Sequence, residues 1–158
     1  MIKHWISAAR PRTLPTSIAP VILATTYSWQ QGKANWWVFT ICLLFALAAQ
    51  IASNFANDYF DYKNGSDKPN RVGPRRAVAS GDIPPRTMLT ATIITLTIAA
   101  ILGCMLIPIG GWQLVVLGAI IILLALAYSA GPYPLSYHGL GEVTVFIFFG
   151  IVPVTATY

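Results

Sequence analysis

The chain has 158 residues, of which 56% are hydrophobic and only 9% charged, with a net charge of +5. Soluble domains carry about 25% charged residues, so this composition excludes an ordinary water-soluble domain and belongs to the membrane class. The basic residues sit in loops between apolar runs, which makes them topological signals and argues against a nucleic-acid partner. Cys42 and Cys104 lie far apart inside apolar runs, with no Cys or His spacing that suggests a disulfide framework or a zinc site.

Five apolar runs follow one another. A bilayer core of roughly 30 Å needs about 20 helical residues. The first run, Leu14–Trp29, follows Lys3, Arg10 and Arg12. It is too long for a signal-peptide core and contains Pro15 and Pro20, so an uncleaved span is expected. The others are Trp37–Phe60, Met88–Pro108, Trp112–Ala130 and a run from Val143 onward. They are too long and too continuously apolar for barrel strands. The expected fold is all-α, a polytopic transmembrane helical bundle with about five spans. Lys63, Lys68, Arg71, Arg75, Arg76 and Arg86 lie between the second and third runs, against Lys33 alone on the opposite side. The bias of Lys and Arg places the N-terminus and the 61–87 loop in the cytoplasm of a multi-pass cell-membrane protein. All five acidic residues then fall on that face. The fifth run has no polar cap, so the chain reads as the N-terminal part of a longer domain.

The second span is the unusual one. On a helix, Gln50, Asn54, Asn57, Asp58 and Asp61 occur at i, i+4, i+7, i+8 and i+11 and share a face. Buried carboxylates near a membrane are costly, and a helix C-terminus disfavours negative charge. Both terms ask for a cation. Ion pairing with Lys63, Lys68 or Arg71 would satisfy them structurally. Oxygen-only ligands also suit Mg²⁺, which keeps waters and recruits substrate phosphates. The basic run "KPNRVGPRR" follows directly, and Arg is the preferred bidentate partner of phosphate. That run serves topology, phosphate binding or both.

"NDYFD" at Asn57–Asp61 resembles the first aspartate-rich motif of the UbiA superfamily of intramembrane prenyltransferases. "RPRTLP" from Arg10 and "RAVASGDI" from Arg76 resemble that family's entries to its first and third helices. The block "NDYFDYKNGSDKPNRVGPRRAVASG" together with "GPYPLSYHGLGE" is similar to the branch acting on 1,4-dihydroxy-2-naphthoate in menaquinone biosynthesis. The resemblance spans the whole chain. The general pattern has a third Asp four residues after the second, whereas this sequence has Gly65 there and Asp67 two residues later. The resemblance implies a second aspartate motif, expected beyond the last helix of this sequence.

The resemblance implies residues 1–158 as part of one transmembrane prenyltransferase domain. It implies Mg²⁺-dependent transfer of a polyprenyl group from polyprenyl diphosphate to 1,4-dihydroxy-2-naphthoate, with loss of carbon dioxide. The alternative acceptors are 4-hydroxybenzoate and chlorophyll-type rings. Asp58 and Asp61 are the expected catalytic metal ligands, joined by Asp67 and Asn57. Lys68, Arg71, Arg75, Arg12 and Asn54 are the diphosphate candidates. Tyr128, Tyr133 and Glu142 are candidates for the aromatic substrate or for stabilising a cation; interfacial packing and helix-dipole pairing would explain them equally. Tyr137 and His138 read as structural. A transporter with a polar helix stripe is the reading from another class, and the apolar midplane argues against it. A lipid phosphotransferase would need an Asp-Gly…Ala-Arg spacing that is missing.

Overall fold

The computed structural model describes residues 1–66, 75–127 and 146–157. Among these the chain is all-helical, with no strand. Helix α1 (Ile2–Ala9) leads through a 3₁₀ turn, Pro11–Thr13, into α2 (Leu14–Gln30). Then come α3 (Trp36–Lys63), α4 (Pro85–Cys104), the short α5 (Ile107–Gly110) and α6 (Gln113–Ala127). A π-helical turn, Phe146–Ile151, precedes α7 (Val152–Thr157). Two of these helices, α3 and α4, are long and apolar enough to cross a membrane.

Local chemistry sets the boundaries. Asn35 caps α3, its side-chain oxygen accepting from the Trp37 and Val38 amides at 3.0 and 3.3 Å. At the other end, the Ser66 amide donates to the Asp61 carbonyl at 3.0 Å and the Gly65 amide to the Tyr62 carbonyl at 3.1 Å. This pair of bonds is a Schellman ending, which needs a left-handed residue at Gly65, and its φ is 66°. The position where the general family pattern has Asp is therefore the one that terminates the helix, and glycine suits it. The third apolar run, expected to continue to Pro108, breaks instead after Cys104. Pro108 has no N–H, and its ring would clash with the carbonyl four residues earlier, at Cys104 itself. Pro85 opens α4, where the missing N–H costs nothing.

The packing inverts that of a soluble protein. Ile93, Ile94, Ile98 and Ile101 of α4 are exposed. Gln50, Ser53, Asn54, Asn57, Asp58 and Asp61 of α3 are buried. α3 is the central element, packed along α4 and α2. One compact core ties the end of α3 to its surroundings. Phe55 packs with Ala8 of α1, with Ala77, Val78 and Ile83 of the turn before α4, and with Met88 at its start. Trp5 of α1 meets the Phe55 ring edge-on, with centroids 5.5 Å apart. This cluster clamps α1 and the 75–83 turn against the acidic end of α3.

Candidate functional site

The 75–83 turn is a tight, self-bonded structure. The Ser80 amide donates to the Arg76 carbonyl, and both Asp82 and Ile83 amides donate to Ala77. Gly81 takes a φ of 74°, which closes the turn. Folded this way, the turn points two consecutive backbone amides at Asp58. Ala77 N–H donates to one carboxylate oxygen at 3.0 Å and Val78 N–H to the other at 3.2 Å. Arg76 pairs with Asp61 in a buried ion pair. Asp58 and Asp61 are only 2% and 8% exposed, so these partners are what makes their burial tolerable.

Truncating Arg76 to Ala removes the guanidinium and leaves the Asp61 carboxylate buried. The expected loss is about 3–5 kcal/mol of unfolding free energy. The double variant Arg76→Met with Asp61→Leu recovers most of it. Thermal or denaturant unfolding of the detergent-solubilised protein measures both.

On the opposite side of the same stripe lies a cavity of about 320 Å³ between α2, α3, α4, α6 and α7. Its volume falls within the range of small-ligand pockets. One end is polar, formed by Arg10, Thr13, Ser17, Gln50, Asn54 and Asn57. The other end is apolar, with Val21, Phe45, Leu114, Leu117 and Ile121 among its lining. A hydrogen-bonded chain holds the polar end. Ser17 donates to the Gln50 side-chain oxygen at 2.8 Å. The Gln50 amide donates to the Thr13 hydroxyl at 3.3 Å, and the Asn54 amide to the same hydroxyl at 3.1 Å. The Asn54 amide also reaches the Ala9 carbonyl at 2.9 Å.

Arg10 stands at the junction of the two features. It lines the cavity and lies within electrostatic reach of Asp58. Its backbone is left-handed, with φ 52° and ψ 69°, although it precedes a proline. A non-glycine residue there costs on the order of 1–2 kcal/mol. The conformation is held because the Arg10 amide donates to Ser7 at 3.1 Å, and both the Thr13 amide and hydroxyl donate to the Arg10 carbonyl at 2.9 Å. Strain of this kind gathers at functional positions.

The expected site residues thus fall into groups. Asn54 and Asn57 line the cavity; Asp58 and Asp61 do not, being engaged by the 75–83 turn just behind its rim. Arg75 is exposed and pairs with Asp82 at 2.9 Å, and Asp82 also meets His4 at 3.3 Å. Arg12 is exposed and outside the cavity lining. Asp67, Lys68, Arg71, Tyr128, Tyr133 and Glu142 lie outside the described residues. Two groups the sequence reading did not single out as site residues, Arg10 and Arg76, belong to the assembly. The signal for both was present, since each begins one of the motifs quoted above. Among the described residues no group of three or more Asp, Glu, His or Cys is poised as a metal centre. The oxygen donors are of the type that Mg²⁺ takes, with Asp61 paired to Arg76 and both carboxylates engaged by the 75–83 turn. Each Asp58 oxygen spends one lone pair on an amide and retains another. Two carboxylates completed by substrate phosphates are a common Mg²⁺ arrangement.

Residues 17–158 match the UbiA prenyltransferase family. The chain belongs to that family. It is 43% identical over 155 residues to the 1,4-dihydroxy-2-naphthoate octaprenyltransferase of Mycobacterium leprae, covering 98% of this chain and 52% of the relative. It is 37% identical over 160 residues to the Escherichia coli protein of the same name, with the same coverage. The 2-carboxy-1,4-naphthoquinone phytyltransferase of Synechocystis is 29% identical over 162 residues, 99% of this chain and 50% of the relative. The chain spans about half the length of the curated relatives it matches. No solved structure matches it significantly. For a UbiA prenyltransferase family member, a cavity polar at one end and apolar at the other, beside buried carboxylates, suits an amphiphilic anionic ligand.

Proposed function

We propose that the protein transfers a polyprenyl group from polyprenyl diphosphate to 1,4-dihydroxy-2-naphthoate, in menaquinone biosynthesis. The observation that carries this reading is the two-ended cavity with Arg10 at its polar end and the Asp58–Asp61 pair behind the rim. The anionic head sits at the polar end and the isoprenoid tail lies in the apolar end. The names of the relatives in Mycobacterium leprae and Escherichia coli support the same acceptor.

Asp58, Asp61 and Asn57 would hold Mg²⁺, which when bound neutralises charge on the leaving diphosphate. Arg10 binds the diphosphate from the α1–α2 junction. Asn54 donates both of its amide hydrogens, to the Thr13 hydroxyl and the Ala9 carbonyl, so it acts by holding the α1–α2 junction that carries Arg10 and has no donor left for the head. The 75–83 turn shields the carboxylates from water and keeps their oxygens oriented, so the site is organised before substrate arrives. The allylic C–O bond breaks and its electron pair leaves with diphosphate. The naphthoate ring carbon bearing the carboxylate bonds to the allylic carbon. That carboxylate departs as carbon dioxide and returns its bonding pair to the ring. Lys68 and Arg71 for diphosphate, Asp67 for metal, and Tyr128, Tyr133 and Glu142 for the acceptor are assigned on family resemblance. The charge bias places this end of the bundle, with the N-terminus and the 61–87 loop, on the cytoplasmic face of the cell membrane.

The test is an assay of the purified full-length protein with a polyprenyl diphosphate and, separately, 1,4-dihydroxy-2-naphthoate or 4-hydroxybenzoate. The expected result is diphosphate release with carbon dioxide formed in equal amount, only with the naphthoate, and abolished by EDTA and restored by Mg²⁺. Absence of diphosphate release with every donor overturns the reading. Preference for hydroxybenzoate without carbon dioxide moves the protein to another acceptor branch.

A further inference from the structure

The buried hydroxyls of α2, α3 and α4 divide by what they bond. Ser17 donates to Gln50 at 2.8 Å. Thr25 and Thr92 donate to the carbonyls four residues earlier, Val21 and Met88, at 2.8 and 2.9 Å. Among the described residues Ser28 and Ser53 are buried and make no side-chain hydrogen bond. Ser28 lies outside the cavity lining, whereas Ser53 lines it and is only 9% exposed. A buried hydroxyl without a partner is costly, and nothing in the fold around Ser53 uses it.

Helical periodicity sets its aim. With about 3.6 residues per turn, Ser53 falls in the middle of the arc that α3 turns to the cavity. Gln50 and Asn54 flank it on the side of Thr13, and Phe45 and Ala49 on the other. Asn57 stands one turn nearer the rim, about 6 Å along the helix axis. Ala49 and Ala46 follow on the deeper side. The wall next to Ser53 therefore presents methyl groups and leaves room for a planar ring.

The two substrates of the proposed reaction differ in where they carry polar atoms. On the prenyl donor they are all in the diphosphate, at the level of Arg10 and Asn57, and the tail has none. The acceptor ring must meet the allylic carbon, which follows directly on the diphosphate. The ring therefore stands one step below the head, at the level of Ser53, and the polar atoms it brings there are its own oxygens. We infer that the Ser53 hydroxyl hydrogen-bonds a ring hydroxyl of the aromatic acceptor, with Ala46 and Ala49 leaving the α3 wall free for the flat ring. This rests on the proposed prenyl-transfer function and adds a specificity-determining residue for its acceptor. A site that hydrogen-bonds a substrate hydroxyl rejects analogues lacking it, because its own polar group is then left unpaired.

The experiment compares the full-length parent with Ser53→Ala, using a polyprenyl diphosphate as donor. It measures KM for 1,4-dihydroxy-2-naphthoate, KM for the donor, and the inhibition constant of 2-naphthoate, which has the ring and carboxylate but neither hydroxyl. Ser53→Ala is expected to raise the acceptor KM roughly 3–10-fold, the scale of one hydrogen bond. The donor KM and the 2-naphthoate constant stay at the parent values. The unfolding temperature does not fall, because no bond of the fold is lost and Ala is the better helix former. Ala49→Leu, which fills the wall beside the ring, raises the acceptor KM and the 2-naphthoate constant together. An acceptor KM unchanged in Ser53→Ala overturns the inference while leaving the function standing. A rise in the donor KM in its place assigns the hydroxyl to the diphosphate and overturns it too, as does a 2-naphthoate constant that rises in step with the acceptor KM. A parent protein that releases no diphosphate from the donor overturns the function itself.

Discussion

Replacing Asp58 with Ala is expected to lower prenyl-dependent diphosphate release by on the order of 10²–10³-fold, the scale of losing one preorganised electrostatic partner of the reacting charge. Asp58 has two jobs in the structure, and a second variant separates them. Its oxygens accept the Ala77 and Val78 amides, so the residue anchors the turn that also carries Arg76. Asp58→Asn keeps the side-chain volume and one acceptor oxygen. It loses the charge and turns its other polar group into a donor facing an amide N–H. The expected stability cost of Asn is about 1–3 kcal/mol, that of one buried donor left unsatisfied. Its expected activity is as low as that of Ala. Turnover and thermal unfolding of both variants in detergent are the measurements. If Asp58→Asn retains activity, the carboxylate serves only to anchor the turn, and its metal role is lost from the reading.

The second large effect is expected at Arg10. Removing its guanidinium raises KM for the prenyl diphosphate by roughly 10–10²-fold, the value of charge-assisted hydrogen bonds to a phosphate. Arg12→Ala, two residues on and exposed, changes it less than about twofold, as surface charges usually do. The left-handed backbone at Arg10 makes a further comparison available. Arg10→Gly deletes the cation and also relieves the conformation, so it stabilises the protein by about 1 kcal/mol relative to Arg10→Ala. Both variants show the same loss of donor affinity. Equal KM values for parent and Arg10→Gly would remove Arg10 from the site, and a stability gain by itself would not restore it.

Much of this architecture is legible in the order of residues, and the limits are physical. Hydropathy marks the helices because each must bury or present about the same length of apolar surface, and α3 lies within three residues of its expected bounds. The Asn35 cap and the glycine ending at Gly65 are local and follow from side-chain chemistry alone. The polar stripe from Gln50 to Asp61 is visible for the same reason, since helical periodicity depends on neighbours within a few turns. Periodicity says that these groups share a face; it does not say what lies opposite. Arg76 and the Ala77 and Val78 amides stand 15 to 20 residues beyond Asp58 and Asp61, across a segment whose path no local rule specifies.

The sequence by itself determined an all-helical chain of membrane character, with its acids collected at one helix end and a family resemblance attached to them. Only the tertiary structure divided that stripe into two surroundings. Asp58 and Asp61 turn to the 75–83 loop, while Asn54 and Asn57 turn to a cavity shared with Arg10. The same holds for Arg10 against Arg12, which differ little as residue types in one basic motif. Their difference comes from the left-handed turn at Arg10, held by Ser7 and Thr13, which brings one guanidinium into the bundle and leaves the other outside. Composition and spacing encode what a segment prefers, but which polar groups meet is decided by the packing of elements distant in the chain. That packing is a sum of many weak contacts with no local signature.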